Sequence, residues 1–125
     1  MNIPVLVIGL GSMGKRRVRN LQALGFTSVF GFDVRNDRTE EASKLYNIST
    51  FTDFNEAISK SSAKAFVISL PPDIHHIYMK KAVELNIPFF VEASVVDTDM
   101  LEVINSAKEK GVFAGPSSTM YFHPA

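Results

Sequence analysis

Apolar residues fall along the chain in two rhythms. Short, nearly continuous runs recur at residues 3–8, 28–32, 65–70 and 88–91. Such runs fit strands buried on both faces, as in a parallel sheet. Mixed polar and apolar stretches of helical length lie between them. The first, residues 15–24, sets Met13, Val18, Leu21 and Leu24 near one helical face and stops at Gly25. A second helix starts at Asp37-Arg-Thr-Glu and reaches Tyr46, and residues 47–50 read as a short, weak strand. Asp53 is placed to cap a helix of one or two turns through Ile58. Pro71-Pro72-Asp73 breaks the fourth strand and launches a helix over residues 74–85. Asp97 or Thr98 caps a further helix over 100–110, stopped by Gly111. Residues 112–114 read as a sixth strand, and Gly115-Pro-Ser-Ser as a loop.

Strands thus alternate with helices at short spacing, with no repeat and no low-complexity tract. That is the pattern of βαβ units. The fold predicted is α/β, a Rossmann-type doubly wound parallel sheet with strand order 3-2-1-4-5-6. Ligands of such sheets bind beyond the carboxyl ends of the strands, where the order reverses. The residues expected there are Gly9 to Gly14, Asp33, Leu70 to Pro72, Glu92 and Gly115.

Composition narrows the class without deciding it. At 125 residues and 46% hydrophobic, the chain fits one domain with a genuine core. Lys and Arg balance Asp and Glu at 13 each, which argues against bulk attraction to nucleic acid or an acidic membrane surface. The chain has no cysteine, so neither a disulfide framework nor a thiolate zinc site is available. No signal peptide is legible, and no apolar stretch approaches the roughly 20 residues that span a bilayer. A cytoplasmic protein is expected.

The informative chemistry is concentrated in Gly9-Leu-Gly11-Ser12-Met13-Gly14, which follows the first strand and opens the first helix. This is the G-x-G-x-x-G pattern in its meaningful context. The first glycine makes the turn, the second lets a pyrophosphate approach the backbone, and the third lets the helix lie close on the sheet. Asp33 ends the second strand 19 positions after Gly14, close to the expected offset of about 20. A carboxylate there accepts from both hydroxyls of an adenosine ribose and repels a 2′-phosphate, so NAD is favoured. Arg35 and Arg38 follow closely and offer a 2′-phosphate a partner, which keeps NADP open. A blander reading has Asp33 simply starting a turn. Lys15, Arg16, Arg17 and Arg19 cluster on the first helix; they either help hold phosphate or form a solvated face. His75 is either a capping or packing residue or a group near the substrate. His76 beside it faces another direction, so no metal pair is expected. The Phe residues, 10 in all, are mostly explained by core packing.

These segments together resemble the N-terminal half of the Gfo/Idh/MocA oxidoreductases, the group of glucose–fructose oxidoreductase and inositol dehydrogenase. The resemblance rests on the glycine loop, Asp33, Leu70-Pro-Pro-Asp-Ile-His75, Phe90-Val-Glu92 and Tyr121-Phe-His-Pro124. It implies that Gly9, Gly11 and Gly14, with Ser12 and Met13 between them, hold the pyrophosphate, and that Asp33 holds the adenosine ribose. Leu70, Pro71 and His75 would line the cofactor crevice, and Glu92 would lie near the nicotinamide ribose. The implied reaction is hydride transfer between NAD(P) and a carbinol of a sugar, polyol or similar compound. Residues 1–120 would form the NAD(P)-binding domain, and 121–125 the start of a linker to a substrate domain. That second domain would carry the sugar-like substrate, and the longer protein would be a homo-oligomer. The piece alone is not expected to turn over.

Two positions depart from the family pattern. Where the family has Glu-Lys-Pro, this chain has Glu92-Ala93-Ser94, and the arginine of Arg-Phe-x-Pro is Tyr121. Ala93 has no donor and no titratable group, so the family's proton relay loses a member and the catalytic residues are unassigned. The alternative reading is therefore a dinucleotide-sensing or interaction module without turnover. A coenzyme A site of the same fold is a third, in which Asp33 would serve no purpose.

Overall fold

The computed structural model describes residues 3–70, 72–91 and 114–116. Its elements run β1 (Val5–Ile8), α1 (Ser12–Ala23), β2 (Val29–Phe32), α2 (Asn36–Tyr46), β3 (Ser49–Phe51), α3 (Phe54–Ser61), β4 (Ala65–Ile68), α4 (Pro72–Glu84), β5 (Phe89–Val91) and β6 (Ala114–Pro116). All neighbours pair in parallel, in the order β3-β2-β1-β4-β5-β6. This is the doubly wound sheet expected from the alternation of runs.

Strand side chains alternate between two cores. Val5 and Val7 of β1 join Val67 and Phe90 beneath Val18 and Leu21 of α1 and Ala42 of α2. Leu6 and Ile8 join Phe66, Ile68, Phe89 and Val91 on the other face, against Ala57 of α3 and Met79, Ala82 and Val83 of α4. Both faces are dry, which is why these strands are apolar at every position. An aromatic group braces the second face: Phe54 meets Phe32, Phe66 and Tyr78 edge-on, with centroids 5.2–6.0 Å apart.

Local chemistry shifts several boundaries. β1 begins at Val5 because Pro4 has no N–H to give a ladder, and Ile3 is exposed. α1 starts at Ser12 rather than residue 15, since Gly11 stands at the N-cap position and its carbonyl already accepts the first ladder bond, from the Lys15 amide at 2.9 Å. Its buried stripe is Gly14, Val18 and Leu21. Met13 and Leu24, expected on that stripe, are 40% and 64% exposed: Met13 is one residue out of phase, and Leu24 lies past the last turn. Asn47 takes a left-handed cap (φ 55°) that ends α2, so β3 starts two residues later than expected. α3 runs on to Ser61, past Ile58, until Ser62 adopts a left-handed cap. β4 stops at Ile68, before Leu70, and Pro72 opens α4 as its first helical residue, ahead of the expected Ile74. β6 spans Ala114–Pro116, so Gly115 and Pro116 belong to a strand rather than to a loop. An edge strand with one neighbour tolerates a proline that an interior strand excludes. The helix expected over 100–110 and the linker expected at 121–125 lie outside the described residues. Among the described residues no helix is long and apolar enough to cross a membrane.

Candidate functional site

Register brings the site together. Ile8 pairs with Phe32 and Ile68, Phe32 with Phe51, Ile68 with Val91 and Val91 with Pro116. The carboxyl ends of all strands are therefore level, and Gly9, Asp33 and Ser69 follow the last paired residues of β1, β2 and β4 in one row. The order reverses between β1 and β4.

The three glycines of the loop differ in what holds them. Gly9 has φ 98°, and a Cβ there would lie 2.8 Å from the Ser69 carbonyl oxygen and 2.9 Å from Leu70 Cδ2. A Cβ on Gly14 would sit 1.7 Å from the Gly9 carbonyl oxygen, because α1 lies directly on the end of β1. Both are demanded by the fold itself. Gly11 is not. Its φ of −72° and ψ of −163° suit any residue, and a Cβ would meet only the end of the Arg38 side chain, at 3.6–4.0 Å. A Cβ on Gly11 would fit without displacing anything, in ordinary contact with the Arg38 guanidinium.

The mouth of α1 is bare. Gly11 offers no side-chain cap, the first turn carries no acidic residue, and the first ladder bond is that of Lys15. The amides of Ser12, Met13 and Gly14 thus precede the ladder and present the positive end of the helix to the crevice. An anion is the natural complement of such a mouth.

Asp33 forms the other wall. It is 3% exposed, and its Oδ2 accepts from the Leu10 amide at 2.8 Å. That bond ties the glycine loop to the end of β2. Oδ1 accepts from the Arg35 amide at 2.9 Å, a local turn closure of the kind the blander reading called for. Each carboxylate oxygen has a further lone pair, so the group remains able to accept from hydroxyls. Its charge also reaches Tyr78, whose phenol is pushed above the usual range by burial first and by Asp33 second.

The basic residues sort themselves by position. Arg35 is turned toward solvent and forks onto Asp37 at 2.8 and 3.1 Å, which holds that carboxyl below its ordinary value. Arg38 instead lies over Gly11 with Nη1 3.6 Å from Asp33 Oδ2. Lys15 pairs with Glu41 of α2 at 2.6 Å, while Arg16 and Arg19 are exposed.

Leu70 is half-buried and leans over Gly9 against the second core. His75 falls in the first turn of α4. Pro71, Glu92 and Ala93 lie outside the described residues. Ser69, which nothing in the sequence marks, shares the row of Gly9 and Asp33 next to the reversal point. Among the described residues no group of three potential ligands is placed to hold a metal.

The chain matches a known family along nearly its whole length. The model of the Gfo/Idh/MocA oxidoreductase family, NAD-binding Rossmann fold, matches residues 3–116. The chain belongs to that family. Solved structures agree on the fold. GenD2 from gentamicin A biosynthesis, in complex with NAD, is 19% identical with a TM-score of 0.81, covering 92% of this chain and 34% of its own. The WlbA dehydrogenase from Bordetella pertussis, in complex with NADH and UDP-GlcNAcA, is 15% identical with a TM-score of 0.77, covering 90% and 36%. Biliverdin reductase from Synechocystis sp. PCC 6803, in complex with biliverdin and NADP+, is 14% identical with a TM-score of 0.77, covering 91% and 37%. The chain spans about a third of the length of these structures. No curated protein matches it.

Proposed function

We propose that this chain is the dinucleotide-binding part of an oxidoreductase that moves hydride between NAD(P) and a carbinol of a sugar, polyol or related compound. The observation that carries the reading is Gly11. The fold has no use for a glycine there, yet the position lies at the uncapped mouth of α1, beside a buried carboxylate. A pyrophosphate close against the backbone uses that missing Cβ.

On this reading the amides of Ser12, Met13 and Gly14 hold the phosphates, and Gly9 and Gly14 fix the loop that presents them. Asp33 accepts from the adenosine ribose hydroxyls. Leu70, Pro71 and His75 line the crevice, and Glu92 lies near the nicotinamide ribose. The nicotinamide supplies the hydride-accepting or hydride-donating carbon when bound. Arg38, with Nη1 3.6 Å from Asp33 Oδ2, would offer a 2′-phosphate a partner beside the ribose carboxylate, which supports weak acceptance of NADP alongside NAD.

Thermal unfolding with and without NAD tests this. A ligand that binds only the native state stabilises it by about 2.7 kcal/mol at a hundredfold excess over Kd. A clear upward shift with millimolar NAD is expected; no shift with NAD or NADP contradicts the proposal.

Ala93 favours a second reading, a dinucleotide-binding module without turnover, because the family's lysine is absent there. In the longer protein, dehydrogenase activity restored by Ala93→Lys marks an enzyme that has lost its relay. Binding without turnover in both forms marks a module.

A further inference from the structure

We propose that Ser69 is a further residue that holds the dinucleotide, its hydroxyl donating to an oxygen of the phosphate segment directly or through one water. The inference rests on the nucleotide reading above. Among the described residues, the Ser69 hydroxyl is the buried side-chain polar atom without a hydrogen-bond partner. Its backbone is in order: the amide donates to the Ile8 carbonyl at 2.8 Å, extending the β1–β4 ladder by one residue. The orphan is the side chain alone.

Position gives the orphan a meaning. Ser69 follows the end of β4, where the strand order reverses, and its carbonyl oxygen lies 2.8 Å from the place a Cβ on Gly9 would occupy. Its Cβ lies 3.8 Å from the place a Cβ on Gly14 would occupy, which sets the side chain against the first turn of α1. The amides that precede the α1 ladder start from this same corner. A buried hydroxyl left unpaired lowers stability, and alanine would fill nearly the same volume without that cost. A serine kept here is therefore explained by a partner that arrives with the ligand. A hydroxyl has one hydrogen to donate and two lone pairs, so it serves equally a phosphate oxygen or a water bridging to one. Asp33 and the glycine loop grip the adenosine side of the crevice from β1 and β2; Ser69 would add a contact from β4.

Ser69→Ala, measured on the whole chain, tests this. Without ligand, the melting temperature of the variant is expected to be unchanged or slightly higher. Calorimetry is expected to show affinity for NAD and for ADP weakened about tenfold, the usual size for one lost bond to a charged group. Adenosine, which has no phosphate, is expected to bind both forms equally in ligand-observed NMR. Ser69→Cys keeps the volume with a poor donor and is expected to follow alanine. Unchanged NAD affinity in Ser69→Ala overturns the proposal while leaving the nucleotide reading intact. An equal loss with adenosine overturns it too, since Ser69 would then act on the shape of the loop. A marked fall in ligand-free stability would show a partner already present. If the unaltered chain binds neither NAD nor ADP, the nucleotide reading fails and this one with it.

Discussion

Two helices of this chain begin at the same edge of the sheet and end their strands' approach differently. α3 leaves β3 through Asp53, whose side chain accepts from the Glu56 amide at 2.9 Å, and Glu56 adds a second carboxylate to the first turn. α1 leaves β1 through Gly11, with no capping side chain and no acid in its first turn. The first mouth is closed by its own residues, and the second is left open at a cost of roughly a few tenths of a kcal/mol, the usual difference between glycine and a capping side chain. The comparison separates what the fold needs from what a ligand needs. Nothing in the packing of α1 forbids a cap at position 11; an anion brought from outside explains its absence.

The sharpest break in the comparison comes at Gly14, which the fold requires. Gly14→Ala puts a carbon 1.7 Å from the Gly9 carbonyl oxygen, so the helix must lift from the strand. A loss of roughly 3 kcal/mol or more is expected by denaturant unfolding, with or without NAD. Gly11→Asp makes the α1 mouth resemble that of α3. Ligand-free stability is expected to rise by a few tenths of a kcal/mol, while NAD affinity falls about a hundredfold in calorimetry as the new carboxylate meets the phosphates. Asp53→Ala opens the mouth of α3 and is expected to cost about 1 kcal/mol of stability, with no change in NAD affinity. The smallest effect belongs to Arg38→Ala. Its guanidinium is partly exposed, so the affinity for NADP is expected to fall about threefold relative to NAD in parallel titrations.

Much of this architecture was legible because strands buried on both faces must be apolar throughout, and the runs at β1, β4 and β5 are. Strand order then followed from crossover handedness and the position of the glycine loop. Most edges moved for local reasons, such as the left-handed caps at Asn47 and Ser62, and the sixth strand moved because its neighbour outvoted a local habit. Gly115 and Pro116 look like a loop yet pair with β5 at the rim of the sheet. Met13 and Leu24 look like core yet lie off the buried stripe of α1. Asp33 was visible because it ends the second run 19 positions after Gly14, near the offset at which a ribose-binding carboxylate follows a glycine loop. Ser69 was invisible because serine is ordinary anywhere; only the register of β4 against β1, and a hydroxyl with nothing to bond, single it out. Likewise Arg35 and Arg38 are equivalent in a string of letters, and the turn at Asp33 sends one to solvent and the other over Gly11.

The measurement that bears most directly on the reserved place at Gly11 is Gly11→Ala, followed by thermal unfolding alone and by NAD calorimetry. The account expects stability within about 1 kcal/mol of the parent, since the new methyl group has room, and NAD affinity reduced at least tenfold. Unaltered affinity in a folded variant would contradict it, because the missing carbon would then be making way for nothing.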